Sequence, residues 1–443
     1  MRKLLINDKN FNNLKLKISY IDSEGNGIAY SSINKIDNIK FLIPGTLENE
    51  IILAKPFKNV QDGIYCELLK IISPSDFRVK EDCSQFLKCG GCDFRHVNNN
   101  WIQSWKINQL RQKTKRLVNS NKIFPIAKSG NHSRRRATFS AIYHNKKFFL
   151  GFKSKFSTRI ENLDTCKTLD KELIKIYLFL NNNLGMVMKI NFKFSIHINL
   201  MEKGSDIVFN LEKSSYGKVF EIDNLISLLT SVKILRISFK EKSGIVTIPL
   251  HSEIKNELGK LNNKTIYSFP PPGGFLQPTK NGEREIIKYV LNAVSGSKRI
   301  IDLFCGSGTL SIPMSQNAIM TCVDSNMSSL SSLEKSFKFY NTHKKNEVFH
   351  QNLLVNPLSY NILKKMDAAV INPPANGAIK QIREIIKSSV KKVIYVSCNV
   401  NSFVRDAMIL LENNYELEWI KPVDQFPNTI HLEIVSKFNI IKQ

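Results

Sequence analysis

From Ile286 to the C-terminus, helical stretches alternate with short apolar runs. The run IIKYVLNAV has the pattern of a helix, and it is followed in turn by the strand-like runs RIIDLF, IMTCVDS, DAAVINPP and KKVIYVSCN. Strands that alternate with helices predict a doubly wound, mainly parallel sheet. In such sheets ligands bind beyond the carboxyl ends of the strands, which is where the polar residues of these runs fall. The pattern therefore predicts a Rossmann-like α/β domain and the edge of its ligand site.

The first of these strands leads into a glycine turn, CGSGTLSIPMS. Gly306 and Gly308 allow the backbone to approach a ligand at the start of the next helix. The second strand ends at Asp324, whose carboxylate is placed to accept hydrogen bonds from both ribose hydroxyls of a nucleoside. No Walker lysine follows the glycines, which argues against a triphosphate and leaves an adenosyl or a dinucleotide ligand open. Asp302, at the end of the first strand, is expected to brace the turn.

Two further strands end in residues of chemical interest. Asn372-Pro373-Pro374 follows DAAVI, and because two prolines cannot continue a strand ladder, they fix the direction of the Asn372 side chain or carbonyl. Cys398 closes the run VIYVSC at the same predicted edge. An isolated cysteine there is only a candidate nucleophile, since a structural role is the commoner one.

The N-terminal part has a different pattern. Residues 14–73 contain short strands broken by turns, which predicts a small antiparallel barrel of five strands. Lysines on this barrel would suit an oligonucleotide-binding module or would simply be solvated strand faces: Lys15, Lys17, Lys35 and Lys40. A helix follows in NNNWIQSWKINQLRQKTKRLVNS, and residues 129 to about 268 have the pattern of a mostly β domain. Its most basic stretch, SRRRATFSAIYHNKKFFLGFK, contains Arg134-Arg135-Arg136, which we expect to contact nucleic-acid phosphates; the alternative is that Arg135 or a neighbour braces this domain.

Length and charge restrict the possible functions. A chain of 443 residues exceeds one hydrophobic core, and we predict domains at 1–73, 74–268 and 269–443. Lys and Arg outnumber Asp and Glu by 64 to 38, for a net charge of +26, which favours a polyanionic partner; the alternative is a lysine-rich solvated surface. There is no apolar run of about 20 residues and no signal peptide, so a cytoplasmic location without membrane contact is expected.

The eight cysteines are not expected to form disulfides in a reducing compartment. Cys66 and Cys322 lie in apolar strands and are predicted to be packing residues. Three others have the spacing Cys-x5-Cys-Gly-Gly-Cys, and a fourth lies far along the chain: Cys83, Cys89, Cys92 and Cys166. By softness alone, four thiolates suit zinc and an iron-sulfur cluster equally well.

Five motifs in this order, FLQPT, DLFCGSG, NPP, VSCN and DQFPNTIHLEIV, resemble those of the RNA 5-methyluridine methyltransferase family. GNGIAY and FLIPGTLENE resemble the TRAM domain of its RlmD/RumA branch, and SPSDFRVKEDC leads into that branch's iron-sulfur cysteines. The resemblance implies a class I methyltransferase domain, an N-terminal OB-like TRAM β-barrel and a mostly β central domain that carries a four-cysteine cluster. The implied protein is a monomer.

The resemblance also implies roles for particular residues. Cys398 would be the nucleophile that adds to uracil carbon 6, and Glu433 the base that removes the carbon 5 proton. Phe275 would stack near the target base. The residues implied to bind S-adenosylmethionine are Gln277, Phe304, Thr309, Asp324, Asn352 and Asn372. A 4Fe-4S cluster, favoured over zinc, would be held by Cys83, Cys89, Cys92 and Cys166.

The implied reaction is transfer of a methyl group to carbon 5 of a uridine in RNA, with 23S ribosomal RNA as the expected substrate. One departure from the family pattern bears on activity: Asn372-Pro373-Pro374-Ala375 stands where most relatives have Asp-Pro-Pro-Arg. Asn keeps an acceptor oxygen but loses the charge. Two alternatives stay open, namely the same chemistry on transfer RNA and a non-catalytic RNA-binding protein of this fold.

Overall fold

The computed structural model describes residues 13–33, 36–250, 254–261, 263–342 and 344–441. The chain divides into two compact units. The first, here called the N-terminal unit, contains residues 1–109, 152–165 and 428–430, and the second, the catalytic unit, contains 110–151, 166–427 and 431–443. Among the described residues, no helix has the length and apolarity needed to cross a membrane.

The N-terminal unit is built on a six-stranded sheet with the order β1-β5-β6-β4-β3-β2. Its strands are β1 (Leu14–Lys17), β2 (Tyr20–Ile21), β3 (Asn26–Ile33), β4 (Ile36–Pro44), β5 (Ile51–Val60) and β6 (Gly63–Ser73). Alternate residues such as Leu16, Ile52 and Ala54 are buried on one face, because successive side chains of a strand point to opposite sides. Lys15 and Lys17 lie on the exposed face of β1.

This sheet differs from the predicted barrel of five antiparallel strands. It has a sixth strand, and β4 pairs with β6 in parallel through Phe41 with Ile64 and Leu42 with Tyr65. The parallel pair arises because β5 forms its hairpin with β6 and its other edge pairs with β1, so the chain crosses between β4 and β6. Lys35 lies outside the described residues, and Lys40 is half-buried in β4.

Gly25 explains part of the GNGIAY motif. Its φ is +77°, and a Cβ atom there would lie 3.0 Å from Ile430 Cγ2 and 3.1 Å from Phe94 Cζ. Phe94 belongs to the hydrophobic core of this unit, and Ile430 packs against that core. A glycine is therefore needed for the backbone conformation and for the close approach of the segment 428–430.

The catalytic unit contains a sheet of long strands in the order β9-β8-β11-β12-β13-β14. These are β8 (Arg136–His144), β9 (Lys147–Lys153), β11 (Phe192–Met201), β12 (Gly204–Asn210), β13 (Ile234–Glu241) and β14 (Gly244–Pro249). The last two residues of β9, 152–153, belong to the N-terminal unit and pair there with β10 (Ile160–Glu161). We call the six-stranded sheet the central sheet.

Helices accompany the central sheet, although this region is predicted to be mostly β. The helices within residues 129–268 are α2 (Lys171–Asn183), α3 (Tyr216–Val219) and α4 (Ile222–Thr230), with a short 3-10 turn at Leu184–Val187. Earlier in the chain, the helix predicted in NNNWIQSWKINQLRQKTKRLVNS is present as α1 (Asn99–Thr114), followed by a 3-10 turn at Ser120–Lys122. In α2 the buried residues are Leu173, Ile176, Tyr177 and Leu180, a helical spacing. The Asp170 side chain caps α2 by accepting from the backbone N–H of Glu172 at 2.9 Å.

The second sheet of the catalytic unit has the order β19-β18-β17-β20-β21-β23-β22-β7. Its strands are β7 (Ala127–Lys128), β17 (Arg299–Leu303), β18 (Ile319–Asp324), β19 (Glu347–His350), β20 (Ala368–Ile371), β21 (Lys392–Ser397), β22 (Tyr415–Asp424) and β23 (Glu433–Ile440). The first five in that order pair in parallel, and β23 is antiparallel to both of its neighbours. The doubly wound, mainly parallel sheet expected from the strand-helix alternation is confirmed.

Helices and a hairpin complete this part of the unit. They are the hairpin β15 (Asn256–Leu261) and β16 (Lys264–Ser268), and the helices α5 (Lys280–Ala293), α6 (Ser311–Met314), α7 (Met327–Phe339), α8 (Tyr360–Leu363), α9 (Ile379–Ser388) and α10 (Val400–Leu411). In this second sheet, strands β20 and β21 are buried on both faces, which explains their continuous apolar runs. As a result, the polar residues that follow each strand lie together at the carboxyl edge of the sheet.

Candidate active site

The glycine turn lies at the carboxyl end of β17. Phe304 has a φ of +64°, Gly306 of +55° and Gly308 of +91°. A Cβ atom on Gly306 would meet nothing within 4 Å, whereas one on Gly308 would lie 2.5 Å from Leu333. The turn thus leaves open space at Gly306 and packs tightly on α7 at Gly308. Open space beside exposed backbone is what a ligand needs at this edge.

Asp324 ties the turn to the end of β18. Its Oδ2 accepts from the backbone N–H of Gly306 at 2.9 Å, and its Oδ1 accepts from that of Asn326 at 2.8 Å. A carboxylate can accept about four hydrogen bonds. Asp324 therefore orients the turn and keeps acceptor capacity for two hydroxyl groups of a nucleoside.

Asp302 is buried at the end of β17, and its Oδ2 accepts from the hydroxyl of Ser311 at the start of α6. Burial, and to a smaller extent the negative charge of Asp324, raises the pKa of Asp302 to about 7. Its Oδ1 is buried without a hydrogen bond among the described residues. Asp302 thus braces the turn, as expected, and also leaves an acceptor that a bound ligand with a donor group would satisfy.

The remaining residues implied to bind the cofactor lie in different environments. Gln277 is buried, and its Oε1 accepts from Gln425 Nε2 at 2.8 Å. Asn352 is exposed after β19, where its Oδ1 caps the backbone N–H of Leu354 at 3.1 Å. Thr309 is half-buried in the glycine turn, and Asn372 is half-buried directly after β20. These residues fit a nucleoside-containing cofactor, because open backbone and unused acceptors occur at the same edge.

Cys398 and Glu433 are brought together by strand pairing. In the antiparallel pair of β21 and β23, Ser397 lies opposite Ile434. The same register, carried one residue further, places Cys398 opposite Glu433, and opposed residues of an antiparallel pair have their side chains on the same face. Cys398 is an exposed residue, whereas Glu433 is buried.

The two groups affect each other's charge. Burial raises the pKa of Glu433 to about 7. Partial desolvation of the thiol, and then the negative charge of Glu433, raise the pKa of Cys398. Because the two negative charges oppose each other, the Cys398 thiolate forms more easily when Glu433 carries a proton. A thiol and a carboxyl group with a pKa near neutrality therefore adjoin at the carboxyl edge.

Phe275 lies in a loop that precedes α5, and its side chain is 57% exposed. The guanidinium carbon of Arg136 lies 4.5 Å from the centre of its ring, and Arg136 Nη1 donates to the Leu276 carbonyl at 2.9 Å. Burial, and then the charges of Arg134 and Arg135, lower the pKa of Arg136 to about 10. Sequence reasoning placed Arg136 only within a basic stretch and missed this stacking contact.

The loop that carries Phe275 is fastened to the central sheet by buried polar groups. Asn199 Nδ2 donates to the Gly274 carbonyl at 2.8 Å, and Asp206 Oδ2 accepts from the backbone N–H of Gly273 at 2.9 Å. Asp206 is itself held by a bidentate ion pair with Arg236, at 2.8 and 2.9 Å. The central sheet thus determines where the exposed Phe275 ring stands.

Arg135 is not a surface residue. It is buried, and its Nη2 lies 2.6 Å from Glu283 Oε1, its Nη1 2.8 Å from Asn256 Oδ1 and its Nε 3.0 Å from the Gln277 carbonyl. Its donors are therefore used inside the protein. Of the triplet Arg134-Arg135-Arg136, which we expected to contact phosphates, the middle member instead braces the catalytic unit.

The four cysteines implied to hold a cluster divide between the units. Cys83, Cys89 and Cys92 lie in the N-terminal unit and Cys166 lies in the catalytic unit, and all four are half-buried. All eight cysteines of the chain are described, and none forms a disulfide. Within the described ranges, no three His, Cys, Asp or Glu side chains form a group that could hold a metal ion. The thiols suit iron and sulfur by softness, and the cluster stays a prediction.

Residues 102–437 match the family model described as tRNA (Uracil-5-)-methyltransferase. This chain belongs to that family. It is an RNA (uracil-C5)-methyltransferase by the same match, which covers Cys398, Glu433 and the central sheet. An RNA methyltransferase of Agrobacterium fabrum without an assigned target is 30% identical, over 95% of this chain and 97% of its own length.

Two further relatives differ in the RNA that their names specify. The 23S rRNA (uracil(1939)-C(5))-methyltransferase RlmD of a Shewanella species is 24% identical and covers 96% of this chain and 95% of its own length. The crystal structure of Pyrococcus abyssi tRNA (uracil-54, C5)-methyltransferase with S-adenosyl-L-homocysteine is 19% identical, with a TM-score of 0.73 over 96% of this chain and 99% of that one. The latter match confirms the class I methyltransferase fold and the N-terminal β domain.

Proposed function

We propose that this protein transfers a methyl group from S-adenosylmethionine to carbon 5 of a uridine in ribosomal RNA. The observation that carries the reaction is the pairing of β21 with β23, which puts Cys398 beside Glu433. S-adenosylmethionine, when bound, supplies the electrophilic methyl group that carbon 5 acquires. The residues that would hold it are Asp324, Gln277, Phe304, Thr309, Asn352 and Asn372.

Cys398 begins the reaction. Its thiolate adds to uracil carbon 6, which moves electron density to carbon 5 and its neighbouring carbonyl and makes carbon 5 nucleophilic. The exposure of Cys398 supports this role, because an approaching base can reach the residue. Formation of the carbon-sulfur bond converts the thiolate to a neutral thioether. The negative charge that opposed ionisation of Glu433 is then gone.

Glu433 completes the reaction. Once carbon 5 carries the methyl group, the carboxylate removes the carbon 5 proton, the carbon 5 to carbon 6 double bond re-forms and the Cys398 thiolate leaves. A base with a pKa of about 7 suits this step, because about half of it is ionised at neutral pH and it can still hold the proton that it accepts. Phe275, with Arg136 against its ring, would stack on the target base.

The choice of ribosomal RNA rests on the RlmD/RumA resemblance and the Shewanella relative. A specific observation keeps transfer RNA as the second candidate: the Pyrococcus tRNA enzyme shares the fold over 96% of this chain. The presence of the N-terminal β domain therefore does not separate the two substrates. The same proposal includes a 4Fe-4S cluster on Cys83, Cys89, Cys92 and Cys166, which rests on the RlmD/RumA resemblance of the sequence around these cysteines.

The test uses ribosomal and transfer RNA from cells of the source organism that lack this protein. Each RNA is incubated with the purified protein and methyl-labelled S-adenosylmethionine, then digested to nucleosides, with the Cys398→Ala variant as the matched control. Labelled 5-methyluridine in ribosomal RNA is the expected result. Label confined to transfer RNA would establish the second candidate, and no label in either RNA would leave a non-catalytic RNA-binding protein.

A further inference from the structure

Three aromatic side chains meet on the surface of the N-terminal unit. They are Phe57 in β5, Tyr65 in β6 and Phe156 in the segment 152–165, and we call them the aromatic triad. Ring centres are 5.3 Å apart for Phe57 and Phe156, 5.4 Å for Tyr65 and Phe156 and 6.3 Å for Phe57 and Tyr65. Phe57 is 41% exposed and Phe156 42% exposed. Such clustering of exposed rings marks an interaction surface more often than isolated exposed residues do.

A β-bulge builds one side of the triad. The register of β5 against β6 shifts between Pro56 and Lys58, so that Phe57 is the extra residue. A bulge re-aims side chains, and here buried Pro56 is followed by two exposed residues. Tyr65 lies opposite Lys58 in the partner strand and is only half-buried. Alternation with buried Ile52, Ala54 and Pro56 already points Phe57 outward, and the bulge leaves Lys58 exposed beside it, where alternation would have buried that residue.

The segment 152–165 supplies the third ring in a fixed position. Lys155, next to Phe156, donates its backbone N–H to the Lys88 carbonyl at 2.9 Å, and its Nζ lies 2.9 Å from Asp93 Oδ1. These contacts fasten the segment to the stretch that carries Cys89 and Cys92. Phe156 thus meets the other two rings from a backbone that is already tied down, which lowers the entropy cost of binding a ligand there.

Basic side chains accompany the triad. Four exposed ones neighbour its rings along the chain: Lys55, Lys58, Lys153 and Arg159. Unpaired nucleotides are bound by this combination, in which aromatic faces stack on bases and cations contact the phosphates. A hydrophobic protein partner would not require the positive charge.

We propose that the aromatic triad is a stacking platform for unpaired bases of the RNA substrate. This inference rests on the proposed function, because it takes RNA as the ligand, and it adds a contact to single-stranded RNA that is separate from recognition of the methylated uridine. Since every base has an aromatic face, the platform tolerates different sequences. It would favour single-stranded segments over duplex, because bases within a duplex are already stacked.

The test measures binding of a fluorescein-labelled single-stranded oligoribonucleotide of about 12 nucleotides, and of its duplex form, by fluorescence anisotropy at several salt concentrations. We expect Phe57→Ala with Phe156→Ala to weaken single-strand binding about tenfold or more, since each stacked base contributes about 1–3 kcal/mol. The slope of affinity against salt should not change, because no cation is lost. Lys55→Gln with Lys58→Gln should instead reduce that slope.

Two controls make the result specific. Phe149→Ala removes a ring that is 51% exposed in the catalytic unit and should leave binding unchanged, and Phe156→Trp should restore stacking. The inference is overturned if the double variant binds single-stranded RNA as the wild type does, or loses single-strand and duplex binding equally. A lower melting temperature with unchanged RNA affinity would also overturn it, since the rings would then only fasten the segment to the sheet. A failure of the proposed function would appear separately, as wild-type protein that binds RNA without methylating it.

Discussion

Cys398 and Glu433 adjoin because Ser397 pairs with Ile434 in the antiparallel contact of β21 with β23. A thiol at the end of β21 therefore lies across from a buried carboxyl group at the start of β23, its neighbour in the sheet. The charge of Glu433 contributes to the raised pKa of Cys398, so the two groups form one electrostatic unit.

The rate of methylation should rise as the pH increases past about 7, because Glu433 ionises in that range. Its pKa is raised to about 7 by burial, and only the ionised form accepts the carbon 5 proton. The raised pKa of the Cys398 thiol adds to the rise, because more thiolate forms at higher pH. Single-turnover rates between pH 5.5 and 9 test this. With Glu433→Gln, the RNA should stay covalently attached to Cys398, and normal turnover of that variant would exclude Glu433 as the base.

The same carboxylate should reduce stability at high pH. Its folded pKa lies above its unfolded value, so the folded protein holds the proton more tightly and stability falls as pH rises from about 4.5 to about 7. Glu433→Gln removes that ionisation and should raise the free energy of unfolding at pH 8 by up to about 3 kcal/mol, with little gain at pH 4. Denaturant unfolding at both values is the measurement. An equal effect at pH 4 and pH 8 would contradict the burial account.

Arg135 should be a stability residue rather than a phosphate contact. Arg135→Ala removes the closer cationic partner of the buried Glu283 carboxylate and leaves only Lys280, whose Nζ lies 3.5 Å away, which should cost up to about 3–5 kcal/mol. Thermal unfolding checks this, with exposed Arg116→Ala as the matched surface control. The salt dependence of RNA binding, measured while the variant is still folded, should match that of the wild type. A flatter salt dependence without lost stability would restore the phosphate role.

The cysteine cluster is tested by metal content. Protein purified without oxygen should be brown and contain about four irons per chain, as a 4Fe-4S cluster requires. Cys92→Ala should lose the visible absorbance. Cys66→Ala should retain it, because Cys66 is buried in β6 of the six-stranded sheet of the N-terminal unit. One equivalent of zinc with no visible absorbance would exclude the cluster.

Local sequence patterns were sufficient to predict many of the strands of the catalytic unit and the position of its candidate site. Buried parallel strands such as β17, β20 and β21 are continuous apolar runs, and their polar ends mark the site in the sequence. Helix α2 was missed because its Ile, Leu, Tyr and Phe residues also suit strands, and only their spacing distinguishes the two. Strand β7 has two residues, too few to show any pattern.

Long-range contacts could not be predicted in the same way. Three consecutive arginines look alike in the sequence, but Arg135 finds Glu283 only after folding brings β8 and α5 together. The burial that shifts the pKa of Glu433 likewise depends on strands from other parts of the chain. The exposure of both Phe57 and Lys58 depends on a bulge, which the residue pattern of β5 does not predict.

The most direct test of the central claim uses RNA in which the target uridine is replaced by 5-fluorouridine. Fluorine cannot leave as a proton, so the adduct should persist after methylation and appear on denaturing gels as a protein-RNA complex. Peptide mass spectrometry should locate the bond on Cys398, and Cys398→Ala should form no complex while it binds S-adenosylmethionine as the wild type does. Complex formation by Cys398→Ala, or methylation of ordinary RNA at the wild-type rate by that variant, would contradict the account.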